Sequence, residues 1–122
     1  MQDKSFKEII SSIKRKELSP VDLTTYYLDR IDRCNPTINA FVTVISDEAI
    51  KQAKLAEEEI SKGIYRGPLH GIPYAAKDII NTANIRTTNG SSKYDNFIPD
   101  QDAFCINKMK KAGAILLSLI HI

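Results

Sequence analysis

Tryptophan is absent from these 122 residues, cysteine occurs only twice, and no window approaches the roughly 20 consecutive apolar residues of a membrane-crossing helix. Two isolated cysteines, Cys34 and Cys105, exclude a disulfide-stapled secreted scaffold. They have no metal-type spacing and no histidine nearby, and His70 and His121 are too far apart in sequence to match a ligand pattern, so no metal is expected. The opening MQDKSFKEII lacks the apolar core of a secretory signal. A reducing, cytoplasmic location is therefore expected, with both cysteines as small buried hydrophobes. Charge of one sign is lacking as well: 17 basic against 15 acidic residues leave a net +2, too weak a field to argue for nucleic acid as a direct ligand. The basic clusters KRK at 14–16 and KMKK at 108–111 lie in helical patterns and read as solvated faces. With 43% hydrophobic and 26% charged residues there is no bias toward disorder, and the length suits one modest domain.

What is present is periodicity. Phe6, Ile9, Ile10 and Ile13 recur at helical spacing over 5–16, with lysines and Glu8 opposite, which predicts an amphipathic helix. LSPVD restarts the chain: Ser19 suits an N-cap, Pro20 the first helical position, and Asp22 falls three residues after the cap. Leu23, Tyr27 and Ile31 make the stripe of this second helix, predicted to stop before Pro36. TINAFVTVI has the β-branched and aromatic content of a strand. Ser46 reads as the cap of a third helix, with Ile50, Ala53, Ala56 and Ile60 inward and Gly63 as its stop. Near its end Glu57, Glu58 and Glu59 oppose the helix dipole and read as solvated surface. Asp102 reads as the cap of a fourth helix with Phe104, Cys105, Met109 and Ala112 inward, closed by Gly113 and followed by a buried strand at AILLS.

Between 63 and 101 the texture changes, because all but one of the five glycines and three of the five prolines lie there among Thr, Asn and Ser. Such a segment is built of turns that hold specific backbone shapes, and binding or catalytic groups concentrate on loops of this kind. Helix and strand alternate through the second half. The expected fold class is α/β: N-terminal helices plus the first strands of a mixed sheet covered by helices. Two or three short strands do not bury their own faces, so the pattern reads as the opening of a larger domain.

The chemistry centres on GPLHGIPYAAKDII, where a turn-rich entry leads into a short apolar run that ends on Lys77 and Asp78. A lysine at the end of a buried strand is either half of an ion pair, with Asp78 or a more distant acid, or held neutral by desolvation to act as a base. The residues taken alone favour the pair. TTNGSSKYDN lacks the glycine and lysine spacing of a phosphate loop, and Ser91 and Ser92 read as turn or cap hydroxyls.

Several short pieces nevertheless stand in one order: Gly67-Pro68-Leu69, Gly71-Ile72-Pro73, Lys77-Asp78, Thr87-Thr88 with Gly90-Ser91, Asp102-Ala103, and Ala112-Gly113-Ala114. Together with NAFVTV they resemble the N-terminal part of the amidase signature family, and the resemblance covers almost the whole chain. It implies that Lys77 is the base of a Ser-Ser-Lys triad. Such a lysine draws a proton through a bridging serine, held by a cis peptide, from a nucleophilic serine that forms an acyl-enzyme. The implied substrate is a small carboxamide, cleaved to release ammonia or an amine without a cofactor. A lysine with a free-solution pKa of about 10.4 serves as a base at neutral pH only if its surroundings favour the neutral amine.

In that family both serines lie downstream of the AGAIL segment. The resemblance thus implies that the 122-residue chain holds the base without its partners and is inactive alone, with its substrate-binding residues unassigned. Residues 1–116 are expected to be the N-terminal part of an amidase domain. Residues 117–122, LSLIHI, instead resemble the translation of a transposon-end adapter used in sequencing libraries and are expected to be a non-native tail. INAFVTV and RTTNGSSKYDNFIPDQDA also suit the A subunit of glutamyl-tRNA(Gln) or aspartyl-tRNA(Asn) amidotransferase, which implies partner subunits, whereas GPLHGIPYAAKD is at least as close to general amidases. A reading from another class is a non-enzymatic α/β module that binds a partner protein. It predicts a monodisperse fold, whereas an incomplete domain exposes apolar strand edges.

Overall fold

The computed structural model describes residues 4–121. Helix α1 (Phe6–Lys14) starts where the sequence supplies a complete capping box: Ser5 Oγ accepts the Glu8 N–H and the Glu8 carboxylate accepts the Ser5 N–H at 2.7 Å. Its Ile9 and Ile13 are buried against Leu23, Ile60 and Ile72. Helix α2 (Pro20–Ile38) begins as read, with Ser19 Oγ accepting the Asp22 N–H at 3.1 Å and donating to Glu57.

The end of α2 corrects the sequence reading, since the helix runs through Pro36 to Ile38 and closes on Asn39 at φ 48°. Pro36 lies in the last turn, where its missing N–H removes one bond and the following helix is too short to be disrupted. Asn39 N–H still reaches the Asn35 carbonyl at 2.7 Å, and the Asn35 side chain bonds both backbone groups of Phe41. Strand β1 (Phe41–Val44) is shorter than TINAFVTVI for the same reason.

Helix α3 (Ser46–Ser61) is not capped by Ser46, which is its first residue; Ile45 precedes it without a side-chain cap. Ile45 N–H is still bonded to the Leu117 carbonyl, so the chain leaves the sheet directly into the helix, with Asp47 and Glu48 complementing the dipole. Ala49, Ala53, Ala56 and Ile60 are its buried stripe, and Ile50 is half-buried. Gly63, at φ +84°, ends it as read, with the N–H groups of Gly63 and Ile64 returning to the Ile60 and Glu59 carbonyls.

Strands β2 (Pro73–Lys77) and β3 (Ile115–Ile120) complete a mixed three-stranded sheet ordered β1-β3-β2. The central β3 is antiparallel to β1 and parallel to β2. It crosses the 116/117 boundary without a break, and Ile115 to Leu119 are all buried. Tyr74 pairs with Leu116 but Ala75 with Ser118, so Leu117 is an extra residue that shifts the side-chain parity. Ile115 and Leu117 therefore pack with Ile31, Ala49 and Ala53 of α2 and α3, while Leu116 and Leu119 share the other face with Ala76 and Ile106. The expected α/β class, with helices over a mixed sheet, is what forms.

Helix α4 (Phe104–Lys111) carries three corrections. Asp102 is not its cap: the carboxylate accepts the Ala83 N–H at 2.8 Å and pairs with Lys110 at 2.5 Å, and Ala103 precedes the helix without a side-chain cap. Burial alone would raise that carboxyl, but the Lys110 ammonium and the Ala83 N–H together outweigh it and hold it below the ordinary aspartate range. The inward residue is Ile106; Phe104 is 78% exposed, because two residues at about 100° each place it opposite. Cys105 is exposed rather than buried, one step off the same face. Cys34 is exposed too, in a last turn of α2 that overhangs the core with no buried residue between 34 and 38.

Candidate active site

Lys77 ends β2, half-buried and level with Ile120 of β3. Its carbonyl accepts the Ile80 N–H at 3.0 Å, which turns the chain out of the sheet at once. Asp78, the next residue, is fully buried, and its N–H continues the ladder to the Ile120 carbonyl at 2.8 Å. The carboxylate of Asp78 accepts the Thr88 N–H at 2.9 Å and the Thr88 hydroxyl, and its carbonyl accepts the Asn89 N–H at 2.8 Å. Successive strand residues face opposite ways, so Lys77 and Asp78 leave the strand on different sides. The Asp78 oxygens are engaged by Thr88.

The loop that Asp78 holds turns through two consecutive left-handed residues, Asn89 at φ 54° and Gly90 at φ 67°. A Cβ on Gly90 would come within 2.9 Å of His121 Cε1, so the loop lies against the end of β3. Lys77, residues 88–91 and His121 thus gather at the carboxyl ends of the two parallel strands. Ligands of open α/β sheets bind outside this end. Neither Ser91 nor Ser118 is set up for nucleophilic attack there: Ser91 Oγ accepts the Lys93 N–H, and buried Ser118 donates to the Thr43 carbonyl at 2.8 Å.

A second polar cluster, missed by sequence reasoning, lies at the opposite end of these strands. The His70 side chain is wholly buried; its Nδ1 accepts the Arg66 N–H at 3.1 Å, so the ring proton sits on Nε2, which is 3.0 Å from Glu59 Oε2. Burial pushes the imidazole below the usual histidine range, against the opposing pull of Glu59. Glu59 is itself held low, first by its bond from the Arg66 guanidinium. The reading of 57–59 as plain solvated surface holds for Glu58, exposed and paired with Lys62 at 2.5 Å, and is corrected for its neighbours: Glu57 takes the Ser19 hydroxyl and Glu59 reaches inward. The available signal was the i,i+4 spacing of Arg66 and His70 around the Gly67-Pro68 turn. These residues line a cavity of about 620 Å³ together with Glu48, Gln52 and Lys110, away from Lys77. Among the described residues no group of three or more His, Cys, Asp or Glu is placed to hold a metal ion, and no helix is long and apolar enough to cross a membrane.

Known proteins resemble the chain along nearly its whole length. The profile of the family described as Amidase matches residues 22–119. The A subunit of glutamyl-tRNA(Gln) amidotransferase from Coxiella burnetii (strain Dugway 5J108-111) is 42% identical over 117 residues, 96% of this chain and 24% of that protein. Its counterpart from Carboxydothermus hydrogenoformans is 44% identical over 111 residues, 91% of this chain and 23% of that protein. Among solved structures, native peptide amidase from Stenotrophomonas maltophilia superposes with a TM-score of 0.91 at 33% identity, covering 98% of this chain and 25% of that one. A bacterial aryl acylamidase of the amidase signature enzymes gives 0.88 at 27% identity, covering 97% and 25%. This chain, which spans about a quarter of the length of those curated relatives, belongs to the amidase family.

Proposed function

We propose that the chain is the segment of a carboxamide hydrolase that supplies the general base, Lys77, of a Ser-Ser-Lys triad. The observation that carries this reading is the position of Lys77: half-buried, on the last residue of β2, at the carboxyl ends of parallel strands in a chain of this family. A base there accepts the proton released as a serine attacks the amide carbon and returns it to the leaving amine, so that ammonia or an amine departs and an acyl-enzyme is left for water. The two serines would come from sequence that follows this segment in the family, and the 122-residue chain by itself is proposed to be inactive. No cofactor enters the scheme.

Within this reading, the amidotransferase alternative draws support from the identities: 42% and 44% to two amidotransferase A subunits against 33% to the peptide amidase. Its substrate would be glutamine and its partners the other subunits of the amidotransferase. Grafting residues 4–116 in place of the matching segment of a full-length curated relative tests the role of Lys77. Ammonia release is followed from glutamine and from a C-terminally amidated peptide. Lys77→Ala is expected to lower turnover about 10²- to 10⁴-fold, the usual worth of a general base. Undiminished turnover refutes the role of Lys77, and in the full-length protein read from the locus, release from the amidated peptide but not from glutamine refutes the amidotransferase alternative. The domain division is likewise a proposal, with 1–116 native and 117–122 adapter-derived. A stop codon directly after Ile122 in longer DNA from the locus overturns it.

A further inference from the structure

Among the described residues, Asp78 is the one fully buried carboxylate at the Lys77 end, and the proposed reaction gives it no task. A buried carboxylate is costly unless its oxygens are bonded. Here the donors come from a single loop ten residues further on: Thr88 N–H, Thr88 Oγ1–H and, to the backbone carbonyl, Asn89 N–H. Thr88 Oγ1 in turn accepts the Gly90 N–H at 3.2 Å, which makes a relay from Gly90 through Thr88 to Asp78. The same bonds hold Asn89 and Gly90 in consecutive left-handed conformations.

We propose that Asp78 and Thr88 are positioning residues, a clamp that fixes the 88–91 loop and the strand end that carries Lys77 as one rigid unit bordering the substrate. The proposal rests on the reading of Lys77 as the base. Lys77 and Asp78 are neighbours across one planar peptide, with Cα atoms about 3.8 Å apart, so any slack in the Asp78 anchor is passed to Lys77. The loop side of the clamp presents Asn89 and Ser91, both exposed, as the polar wall next to the base.

Thr88→Val keeps the shape and the backbone donor while removing the hydroxyl that both donates to Asp78 and accepts from Gly90; Thr88→Ser keeps the backbone donor and the hydroxyl and loses only the methyl. In the grafted full-length enzyme Thr88→Val is expected to lower kcat/KM about 10- to 100-fold, mainly in kcat, as a misplacement near 1 Å does, and Thr88→Ser to stay within about threefold of the parent. In a Lys77→Ala background Thr88→Val is expected to cause no further loss of residual turnover, because the clamp acts through Lys77. Full turnover by Thr88→Val in a graft that Lys77→Ala silences overturns the clamp and leaves the base reading standing. An equal loss in both backgrounds also overturns it, assigning Thr88 to the fold alone. Unchanged turnover by Lys77→Ala removes the base reading and the clamp with it. Hydrogen exchange on the unsubstituted 122-residue chain decides the matter if Thr88→Val does not fold: slow exchange at Thr88, Asn89 and Gly90 is expected, and free exchange at these amides overturns the clamp.

Discussion

Gly113→Ala measures how rigidly the buried histidine cluster is held. Gly113 follows α4 at φ +77°, and a Cβ there would lie 2.4 Å from His70 Cδ2 and 3.1 Å from two further ring atoms. The ring has no easy retreat, because Nδ1 is held by the Arg66 N–H at 3.1 Å and Nε2 faces Glu59 at 3.0 Å. The left-handed backbone costs an alanine about 1–2 kcal/mol. Forcing a methyl into a filled site adds about 1–3 kcal/mol, for a total of about 2–5 kcal/mol. Gly63→Ala is the control, since Gly63 has φ +84° but nothing within 4 Å of its added Cβ. It should show the backbone cost alone, about 1–2 kcal/mol. Urea unfolding followed by far-ultraviolet circular dichroism gives both values. Combined with His70→Ala, Gly113→Ala should lose most of its excess cost, a coupling of about 1–3 kcal/mol. Equal costs at the two glycines, or strict additivity with His70→Ala, refute the collision.

The Tyr74 hydroxyl is buried without a hydrogen-bond partner among the described residues, and burial pushes it up to about 12. Tyr74→Phe should therefore stabilise the chain, by about 0.5–1.5 kcal/mol in urea unfolding, and a loss of stability counts against the orphaned hydroxyl. The folded state holds His70 below its ordinary 6.5 and Glu59 below 4.5, so the unfolded chain takes up protons first as the pH falls. Their contribution is whole above about pH 6.5 and is lost on acidification, first through His70 and then through Glu59. A thermal midpoint that does not fall from pH 7.5 to 5.5, or that falls as much in His70→Gln, contradicts this. Asp102→Ala frees the Ala83 N–H and the Lys110 ammonium and should cost about 1–3 kcal/mol, with faster hydrogen exchange at Ala83; protection retained at Ala83 tells against the tie.

The helices are legible in the sequence where one local signal decides them: the Ser19-Pro20 start, the alanine stripe of α3, and the left-handed glycines 63 and 113. Errors arise where a residue has two possible partners. Asp102 has the residue type of a cap, but an N–H 19 positions earlier takes its oxygen. Pro36 breaks helices in general, but in a last turn it forfeits only one bond. The inward face of α4 is missed by a single position, since eight residues with one buried side chain give periodicity little to work on. Lys77 is legible as an oddity, a charge at the end of an apolar run. Its neighbour Asp78 looks like its partner in sequence, and only the strand's alternation with the fold of the 88–91 loop shows that carboxylate taken by Thr88. The order β1-β3-β2 has no local signature, because it is decided by which edges meet and by the bulge at Leu117.

That order constrains synthesis on the ribosome. β1 and β2 both pair with β3 and not with each other, so neither has a partner when it emerges. The Ile72 carbonyl waits for the Ile115 N–H, 43 residues later, which is roughly 2–9 seconds at about 5–20 residues per second. Helices α2 and α3 can pack together in that interval, whereas the two strands stand as open edges exposed to other nascent chains. The sheet is thus assembled in one late event by its middle member, and a chain halted ahead of Ile115 carries two strands with nothing between them.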